Sequence, residues 1–410
     1  MAQNPSDASA VEFNPFLPAQ LEDPYPTYAK ARRDAPVFFS PMFHAWIVSR
    51  YEDCTEAAKD TERFSNKVAL VELPPEVKAL LPIPNEAPGL VNNDPPSHTR
   101  LRALVGRMFA PQRVAKLEPH IRQVANSLVD GFAREGRADI MARFAYELPL
   151  SIIVGLCGAP LEDRHQIKRW SDAWLTLNTP GLPLEQQLLC AQGAAALYHY
   201  VAALMAQRRK EPQDDALSAL LSAGTEGEVQ PSEQETISTA MQLFFAGHET
   251  VTGAICNTLL HLLRHPEQLQ ACLREPALLP QAVEEGLRFD TSNPAMFRTA
   301  AADVELGGVR IPKGARVVLL FGSANRDETQ FERPDTFDIH RSNASQHLTF
   351  GRGPHFCIGA SLARLEIRIA LETLFARLPN LRLPPSPELT FTTNLVLRWL
   401  KHLTVEWDPA

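Results

Sequence analysis

One cysteine of this chain stands in a setting that suits a metal ligand. Cys357 lies in residues 350–359, which read FGRGPHFCIG, and a helical pattern begins near Ala360. Backbone N–H groups and the helix dipole at a helix N-terminus lower the pKa of a thiol and favour the thiolate, which is the form that ligates metals. A lone cysteine in a loop is more often a buried structural residue, but three glycines are expected to supply unusual backbone angles and a close approach for a flat ligand. These glycines are Gly351, Gly353 and Gly359.

A second polar group interrupts an otherwise apolar helical pattern. Ser232 and Glu235 have the spacing of a capping box, and the periodicity continues to the basic end at residues 265–266. About thirty residues at ~1.5 Å each predict a helix roughly 45 to 50 Å long. Its middle, residues 246–250, reads AGHET and places a helix-weakening glycine and polar side chains where burial is expected. A segment that breaks local rules in this way indicates a functional role.

The remaining pattern predicts a mainly α fold with a minor β region. Short apolar runs at residues 45–49, 316–320 and 403–407 are typical of strands. Prolines fall mainly between the helical stretches, in which apolar residues recur at three- and four-residue spacing. The stretches predicted as helices in this way are residues 97–109, 113–135, 162–175, 185–210 and 279–289.

Composition excludes several classes of protein. The chain has 410 residues without a Gly/Ser-rich or charge-dense linker, which favours a single domain over residues 1–410. A net charge of -8 argues against a nucleic-acid partner. The N-terminus lacks the pattern of a secretory signal, and the most apolar stretch, residues 148–161, is interrupted by proline and glycine, so we expect no membrane partner and a cytoplasmic protein. The six cysteines form no CxxC pair and predict neither a zinc site nor a disulfide framework.

The cysteine run resembles the loop FGxGxHxCxG of the cytochrome P450 family, in its soluble, bacterial-type, class I form. All six fixed positions are present in residues 350–359, and a chance match is on the order of one in 10⁷ per starting point. The resemblance implies the cytochrome P450 fold, a triangular prism, forming one haem domain over residues 1–410. It also implies that Cys357 is the metal ligand of haem b (iron protoporphyrin IX), because thiolate ligation of haem is the P450 pattern.

Other segments resemble the same family. Glu285 and Arg288 match its Glu-x-x-Arg helix, and Arg341, at the end of FDIHR, matches the residue that joins this pair, so a structural ion-pair core is implied rather than a solvated surface pair. Residues 94–102 and 297–300 resemble the segments that hold the haem propionates, to which cations and forked N–H donors are suited. The implied propionate partners are His98, Arg102, Arg298 and His355.

The AGHET segment resembles the oxygen-activation motif of the family's long central helix. In that role Gly247 leaves room for O₂, and the Thr250 hydroxyl bonds back to the i−4 carbonyl and loosens the helix. Glu249 and Thr250 are then the catalytic residues, which relay protons to dioxygen. Val251 and Trp399 depart from the family pattern. The substrate pocket is implied in residues 68–91, 243–247, 292–297 and 393–396, and the pocket residues are expected to include Leu243, Phe244, Ala246, Gly247, Met296, Phe297 and Leu395.

The resemblance implies an enzyme that inserts one atom of O₂ into a hydrophobic small molecule. Electrons are expected from a separate ferredoxin and its NAD(P)H-dependent reductase, because the 410 residues contain no flavin or ferredoxin domain. Two alternatives remain open at this point. One is a peroxide-driven peroxygenase, which does not need the relay of Glu249 and Thr250. The other is a haem-containing binding or recruitment protein without turnover.

Overall fold

Helices form most of the chain in the computed structural model, which describes residues 11–68, 71–84, 87–179, 181–222 and 230–409. This confirms the mainly α fold with a minor β region. The helices are α1 Pro18–Glu22, α2 Tyr25–Asp34, α3 Tyr51–Lys59, α4 Pro75–Lys78, α5 Ser97–Gly106, α6 Pro111–Ala115, α7 Glu118–Asp130, α8 Glu147–Cys157, α9 Arg164–Leu177, α10 Leu184–Lys210, α11 Ala216–Leu221, α12 Glu233–Ala246, α13 Glu249–Arg264, α14 Pro266–Arg274, α15 Leu279–Phe289, α16 Phe321–Ala324 and α17 Ala360–Arg377. The strands are β1 Val37–Ser40, β2 Ala45–Val48, β3 Phe64–Ser65, β4 Arg137–Asp139, β5 Met296–Ala300, β6 Val304–Leu306, β7 Val309–Ile311, β8 Arg316–Leu319 and β9 Thr404–Glu406.

The chain divides into two compact units, and the described strands all lie in the first of them. This β-containing unit comprises residues 1–65, 117–148 and 250–410. Its main sheet has the order β1-β2-β8-β5-β3, in which β2 and β8 run parallel and the other neighbours antiparallel. Val317 and Leu319 of β8 enter one apolar cluster while Val318 enters another. Side chains that alternate between two buried faces are what the continuous apolar run at residues 316–320 predicts.

The second unit, residues 66–116 and 149–249, is helical in its described part. Its helix α10 packs against α9 and α12. The buried side chains of α10 recur at positions 191, 194, 197, 201, 204, 205 and 208, which trace one face of the helix. Among the described residues, α10 is the one helix that is long and apolar enough to cross a membrane, by length and composition alone, and 28% of its apolar window is buried.

Two predicted helices are interrupted in the structure. Residues 113–135 form the end of α6 and then α7, because Pro119 lacks an N–H and occupies the first turn of a new helix. The capping box of Ser232 and Glu235 is present, but the long central helix is α12 followed by α13, with Gly247 and His248 in a turn between them. The prediction of one continuous helix was therefore wrong at these two places.

Candidate functional site

The loop that carries Cys357 is held open by two glycines with positive φ. The Cys357 N–H donates to the Phe350 carbonyl across 2.8 Å, so the loop folds back on itself before α17. Gly351 and Gly353 have φ of 68° and 72°. A side chain at position 353 would also place its Cβ 2.7 Å from the Cα of Lys59, so glycine is required there for space as well as for backbone conformation.

Gly359 does not have the unusual backbone angle predicted for it. Its φ is -84°, and it is the N-cap residue of α17. A Cβ built on Gly359 would lie 3.9 Å from the Cys357 Sγ, so the glycine leaves the space beside the sulfur open. Cys357 is the exposed one of the six cysteines, and it lies just before an 18-residue helix. An accessible thiol at a helix N-terminus fits a metal-bound thiolate.

A half-buried ion pair between α15 and α17 lies against this loop. Arg364 donates to both carboxylate oxygens of Glu284, across 2.5 and 3.0 Å, and its guanidinium lies 4.5 Å from the centre of the Phe350 ring. His347 Nε2 is 3.4 Å from the same carboxylate. Burial would raise the pKa of Glu284, but His347 and Arg364 outweigh burial and lower it to about 2. The carboxylate thus stays ionised and connects two helices with the cysteine loop.

The structure brings Glu285, Arg288 and Arg341 together in the interior. Arg288 donates to the two Glu285 oxygens, each across 2.7 Å, and both side chains are fully buried. Arg341 lies 3.2 Å from the same carboxylate. The arginines also donate to backbone carbonyls, including those of Asn325 and Thr336. A buried charge is tolerated only when paired and hydrogen-bonded, and this network meets that condition.

Arg288→Lys is expected to destabilise the folded protein by about 3 to 5 kcal/mol, because an ammonium cannot replace the forked donors and leaves Glu285 poorly paired. Denaturant unfolding followed by haem absorbance measures the change. The matched control is Arg310→Lys, whose ion pair with Asp303 is exposed, and which should leave the unfolding midpoint nearly unchanged. Equal effects of the two substitutions would contradict the assigned role of the buried network.

The predicted propionate partners lie on both units. Arg298 is buried on β5 and donates to the Phe297 carbonyl across 2.7 Å, while the half-buried His355 ends a short turn before Cys357. His98 and Arg102 lie on α5 of the helical unit, one turn apart. Burial, and then the charge of Arg102, lower the pKa of His98 to about 4. His98 is therefore a neutral N–H donor at pH 7, and the role of all four side chains toward propionates stays a prediction.

Gly247 has a packing reason that its sequence context does not reveal. A Cβ at this position would lie 2.3 Å from the Cγ1 of Ile153, well inside van der Waals contact. The Gly247 N–H donates to the Leu243 carbonyl and closes the last turn of α12. The close approach of Ile153 thus explains glycine here without reference to a ligand. Room for O₂ stays a prediction.

Glu249 is buried within a charged network of the helical unit. Its Oε1 lies 3.1 Å from His248 Nε2 and 3.9 Å from Lys168 Nζ, and Lys168 also pairs with Asp172. Burial would raise the pKa of Glu249, but the hydrogen bond and charge of His248, with help from Lys168, lower it. Burial and the neighbouring Glu249 carboxylate raise the pKa of Asp172. Two neighbouring carboxyls whose pKa values are shifted in opposite directions are the kind of group that can exchange a proton.

The sequence offered only a weak signal for Lys168 and Asp172. They are spaced four residues apart on α9, a pattern that usually denotes a solvated surface pair. Their half-buried side chains instead belong to the network of Glu249. Contacts that join positions 168 and 249 depend on tertiary structure, which a local pattern does not contain.

Thr250 begins the β-containing unit and is half-buried near the start of α13. Its carbonyl accepts a hydrogen bond of 2.7 Å from Ser292 Oγ, which anchors this turn of the helix.

The two positions that depart from the family pattern are both packed. Val251 is buried. A Cβ added at Gly253 of α13 would lie 2.9 Å from the Cβ of Trp399, so the tryptophan packs against α13 where the glycine leaves space.

The predicted pocket residues differ in exposure, and their roles toward a ligand stay predictions. Ala246 is exposed, and Met296 and Phe297 are half-buried, so each keeps surface for a ligand. Phe244 is 0% exposed and has none, which contradicts its placement in the pocket. Instead Phe245, one residue on, is half-buried. The remaining three expose little surface or have another explanation. Leu243 and Leu395 are buried, and the glycine at position 247 is explained by its packing against Ile153.

The aromatic wall beside Phe245 comes from α9. Trp174 meets Phe245 edge-on, with ring centroids 6.4 Å apart. Phe245 lies in the implied pocket segment 243–247, whereas Trp174 was not predicted, because no local pattern relates α9 to that segment. Residues 69, 70, 85 and 86 of the implied pocket segment 68–91 lie outside the described residues.

The family model described as Cytochrome P450 matches residues 37–398, a range that includes the Cys357 loop, the Glu285 network and the break between α12 and α13. The chain belongs to the cytochrome P450 family, and it is a monooxygenase that binds haem b.

Its relatives match over nearly the whole chain. The vitamin D(3) 25-hydroxylase of Pseudonocardia autotrophica is 39% identical, with 95% of this chain and 94% of the relative covered. The 6-deoxyerythronolide B hydroxylase of Saccharopolyspora erythraea is 37% identical, with 94% and 96% covered. A solved structure of cytochrome P450 CREJ in complex with (4-ethylphenyl) dihydrogen phosphate has a TM-score of 0.89 and 34% identity, and covers 97% of this chain and 99% of its own.

Proposed function

We propose that this protein is an O₂-dependent monooxygenase, acting as one haem domain over residues 1–410, that receives electrons from a separate ferredoxin and its NAD(P)H-dependent reductase. One oxygen atom enters a hydrophobic small molecule and the other becomes water, so each turnover consumes two electrons and two protons. Bound haem supplies the oxidising chemistry. The chain supplies the thiolate of Cys357, contacts to the propionates, the proton supply and an apolar pocket.

The network around Glu249 is the observation that carries this proposal. Reduction of O₂ requires that the protein deliver protons to the buried oxygen-binding site. Hydrogen peroxide already carries the two protons, so a peroxide-driven reaction does not need that delivery. Burial and Glu249 raise the pKa of Asp172, while His248 and Lys168 lower the pKa of Glu249, so the pKa values of these two neighbouring carboxyls are shifted in opposite directions. In the proposed relay, Asp172 passes a proton to the Glu249 carboxylate, and Thr250, the next residue, presents it through its hydroxyl.

Two groups of residues have assigned roles toward haem in this proposal. Cys357 is the metal ligand. The propionate carboxylates accept from the side chains of His98, Arg102, Arg298 and His355, since forked and ring N–H donors suit paired carboxylates.

The substrate is proposed to be an uncharged, largely apolar molecule. The half-buried side chains of Phe245 and Trp174 on the helical unit, and of Met296 and Phe297 on the β-containing unit, are apolar. The two relatives named above are hydroxylases, and their names refer to vitamin D(3) and to 6-deoxyerythronolide B. We place the reaction in the cytoplasm, where a ferredoxin and a nicotinamide-dependent reductase are available.

Glu249→Gln separates this function from peroxide-driven chemistry. With NADPH, a surrogate ferredoxin and its reductase, the variant should turn over at least ~10-fold more slowly than wild type, because the amide neither accepts nor releases the relayed proton. With hydrogen peroxide as the oxidant, its rate should stay within about two-fold of wild type, since the relay is not needed. The substrate is the member of an apolar panel that displaces the haem-bound water most completely, seen as a Soret shift.

Three other outcomes would each count against the proposal. A wild-type protein active only with peroxide is a peroxygenase. A protein that binds panel members but converts none with either oxidant is a binding or recruitment protein. Equal loss of both activities in Glu249→Gln would show that Glu249 does not act through proton supply.

A further inference from the structure

A carboxylate in the first turn of α12 is bonded to two side chains of α5. Glu235 Oε1 accepts from Ser97 Oγ across 2.5 Å and from the Arg100 guanidinium across 3.0 Å. The same guanidinium lies 3.2 Å from Glu235 Oε2. The three side chains belong to the helical unit and are half-buried, so the ion pair is only partly screened by water. The start of α12 is therefore joined to α5 by charged hydrogen bonds.

The same carboxylate completes the capping box of α12. Its Oε2 accepts from the Ser232 N–H across 2.8 Å and from Ser232 Oγ across 3.0 Å. Burial would raise the pKa of Glu235, but hydrogen bonds from Ser97 and Ser232, together with the charge of Arg100, outweigh burial and lower it. The carboxylate is therefore ionised at pH 7, and a single charged group serves the N-termini of two helices.

The sequence of α5 does not provide this charge itself. The N-cap position is occupied by Pro96, whose ring has no atom that accepts a hydrogen bond, and the first turn, residues 97–100, reads SHTR without an acidic residue. The N-terminus of a helix carries partial positive charge, which a nearby carboxylate stabilises. Glu235 places a carboxylate there, against Ser97, the first residue of α5.

The contact also restrains the rotation of α5 about its axis. Ser97 and Arg100 are three residues apart, so the carboxylate holds one side of the helix over a full turn. His98 and Arg102 are four residues apart and follow a neighbouring side of the same helix. Because a helix turns as one body, a rotation that broke the bonds to Glu235 would displace His98 and Arg102 together.

We propose that Glu235 is a positioning residue, which holds α5 through Ser97 and Arg100 and thereby orients His98 and Arg102 toward the haem propionates. This rests on the proposed function, in which these two side chains donate to the propionates. When α5 is held, both donors keep their direction and haem is retained. When the bonds to Glu235 are lost, the donors share their N–H groups with water, and haem leaves more readily.

Two measurements on the holoenzyme test this role in Glu235→Gln. Glutamine still serves in a capping box, but it lacks the charge that pairs with Arg100. Haem should pass to apomyoglobin about 10-fold faster than from wild type, because hydrogen bonds to charged groups are the stronger ones. In the resonance Raman spectrum of the ferric protein, the propionate bending band should shift while the vinyl bending bands stay in place. A general loss of stability would not move the propionate band alone.

The matched control lies in the same turn of α12. Glu233 pairs with Arg209 across 3.1 Å, and both side chains are exposed, so Glu233→Gln should leave haem transfer and the propionate band unchanged. Arg100→Gln is a second variant for the case in which Glu235→Gln does not fold. It breaks the same ion pair from α5, leaves the capping box intact, and should change both readouts in the same direction.

The proposal is overturned if Glu235→Gln and Arg100→Gln leave the propionate band in place, or if Glu233→Gln shifts it equally. Arg102→Gln distinguishes this failure from failure of the proposed function, because it removes a predicted propionate donor itself. If Arg102→Gln changes both readouts and Glu235→Gln changes neither, only the positioning role of Glu235 is refuted. If Arg102→Gln changes neither readout, the propionate role assigned to Arg102 is refuted, and the positioning role with it.

Discussion

Cys357→Ala is expected to abolish the red-shifted Soret band that the reduced wild-type protein shows with carbon monoxide. The band requires an axial thiolate. Cys357 alone among the six cysteines is exposed and lies at the N-terminus of a long helix, whereas four of the others are buried and Cys190 is half-buried. Because alanine offers no ligand atom, the variant lacks the thiolate that the band requires. The measurement is the difference spectrum of the dithionite-reduced protein before and after addition of carbon monoxide.

Cys190→Ala is the matched control for this loss. It removes a thiol from α10 without touching the loop, and it should retain the full band and haem content. Retention of the band by Cys357→Ala, or its loss in Cys190→Ala, would refute the assignment of the metal ligand.

Thr250→Ala is expected to separate oxygen consumption from product formation. Thr250 follows Glu249 directly, at the place where α12 has ended and α13 begins, and its hydroxyl is proposed as the last donor of the relay. Without that hydroxyl, proton delivery loses its organised donor while electron uptake continues, so reducing equivalents leave as hydrogen peroxide. General acid positioning is typically worth roughly 10²- to 10⁴-fold, and a replacement water recovers part of it, so product yield should fall strongly without vanishing.

The experiment measures product, hydrogen peroxide and NADPH consumed in the same reaction, with a substrate that the wild type converts with little leakage. Thr250→Ser keeps the hydroxyl and removes only a methyl group, so it should retain most of the coupling. If Thr250→Ala gave the wild-type yield of product per NADPH, the relay role would be abandoned. The haem-thiolate assignment would stand, because it depends on Cys357.

Features that depend on neighbours in sequence could be predicted before the structure was known. The capping box at Ser232, the strand at residues 316–320 and the glycine-rich turn before Cys357 are local, and each is present. Pro119 was a visible signal for the break between α6 and α7, because proline cannot occupy a helix interior without loss of a hydrogen bond. The prediction of one helix there gave periodicity too much weight.

Features that join distant positions could not be predicted in this way. The buried carboxylate of Asp290 binds Tyr25, His261 and Arg398, and no spacing rule relates these positions. Phe244 was assigned to the pocket by resemblance, which does not fix the rotation of the helix, and in the structure Phe244 is buried while Phe245 of the same segment is half-buried.

The unequal exposure of the six cysteines has a consequence for the lifetime of the protein. Burial raises the pKa of the thiols of Cys54, Cys157, Cys190, Cys256 and Cys272, so oxidants find little thiolate there. Cys357 is the exposed cysteine, and haem would cover it in its proposed role as the metal ligand. A molecule that loses its haem therefore exposes one nucleophile to peroxide, which carries it to sulfinic and sulfonic acids that no longer ligate iron. Oxidation of the Cys357 sulfur then makes a reversible loss of the cofactor permanent.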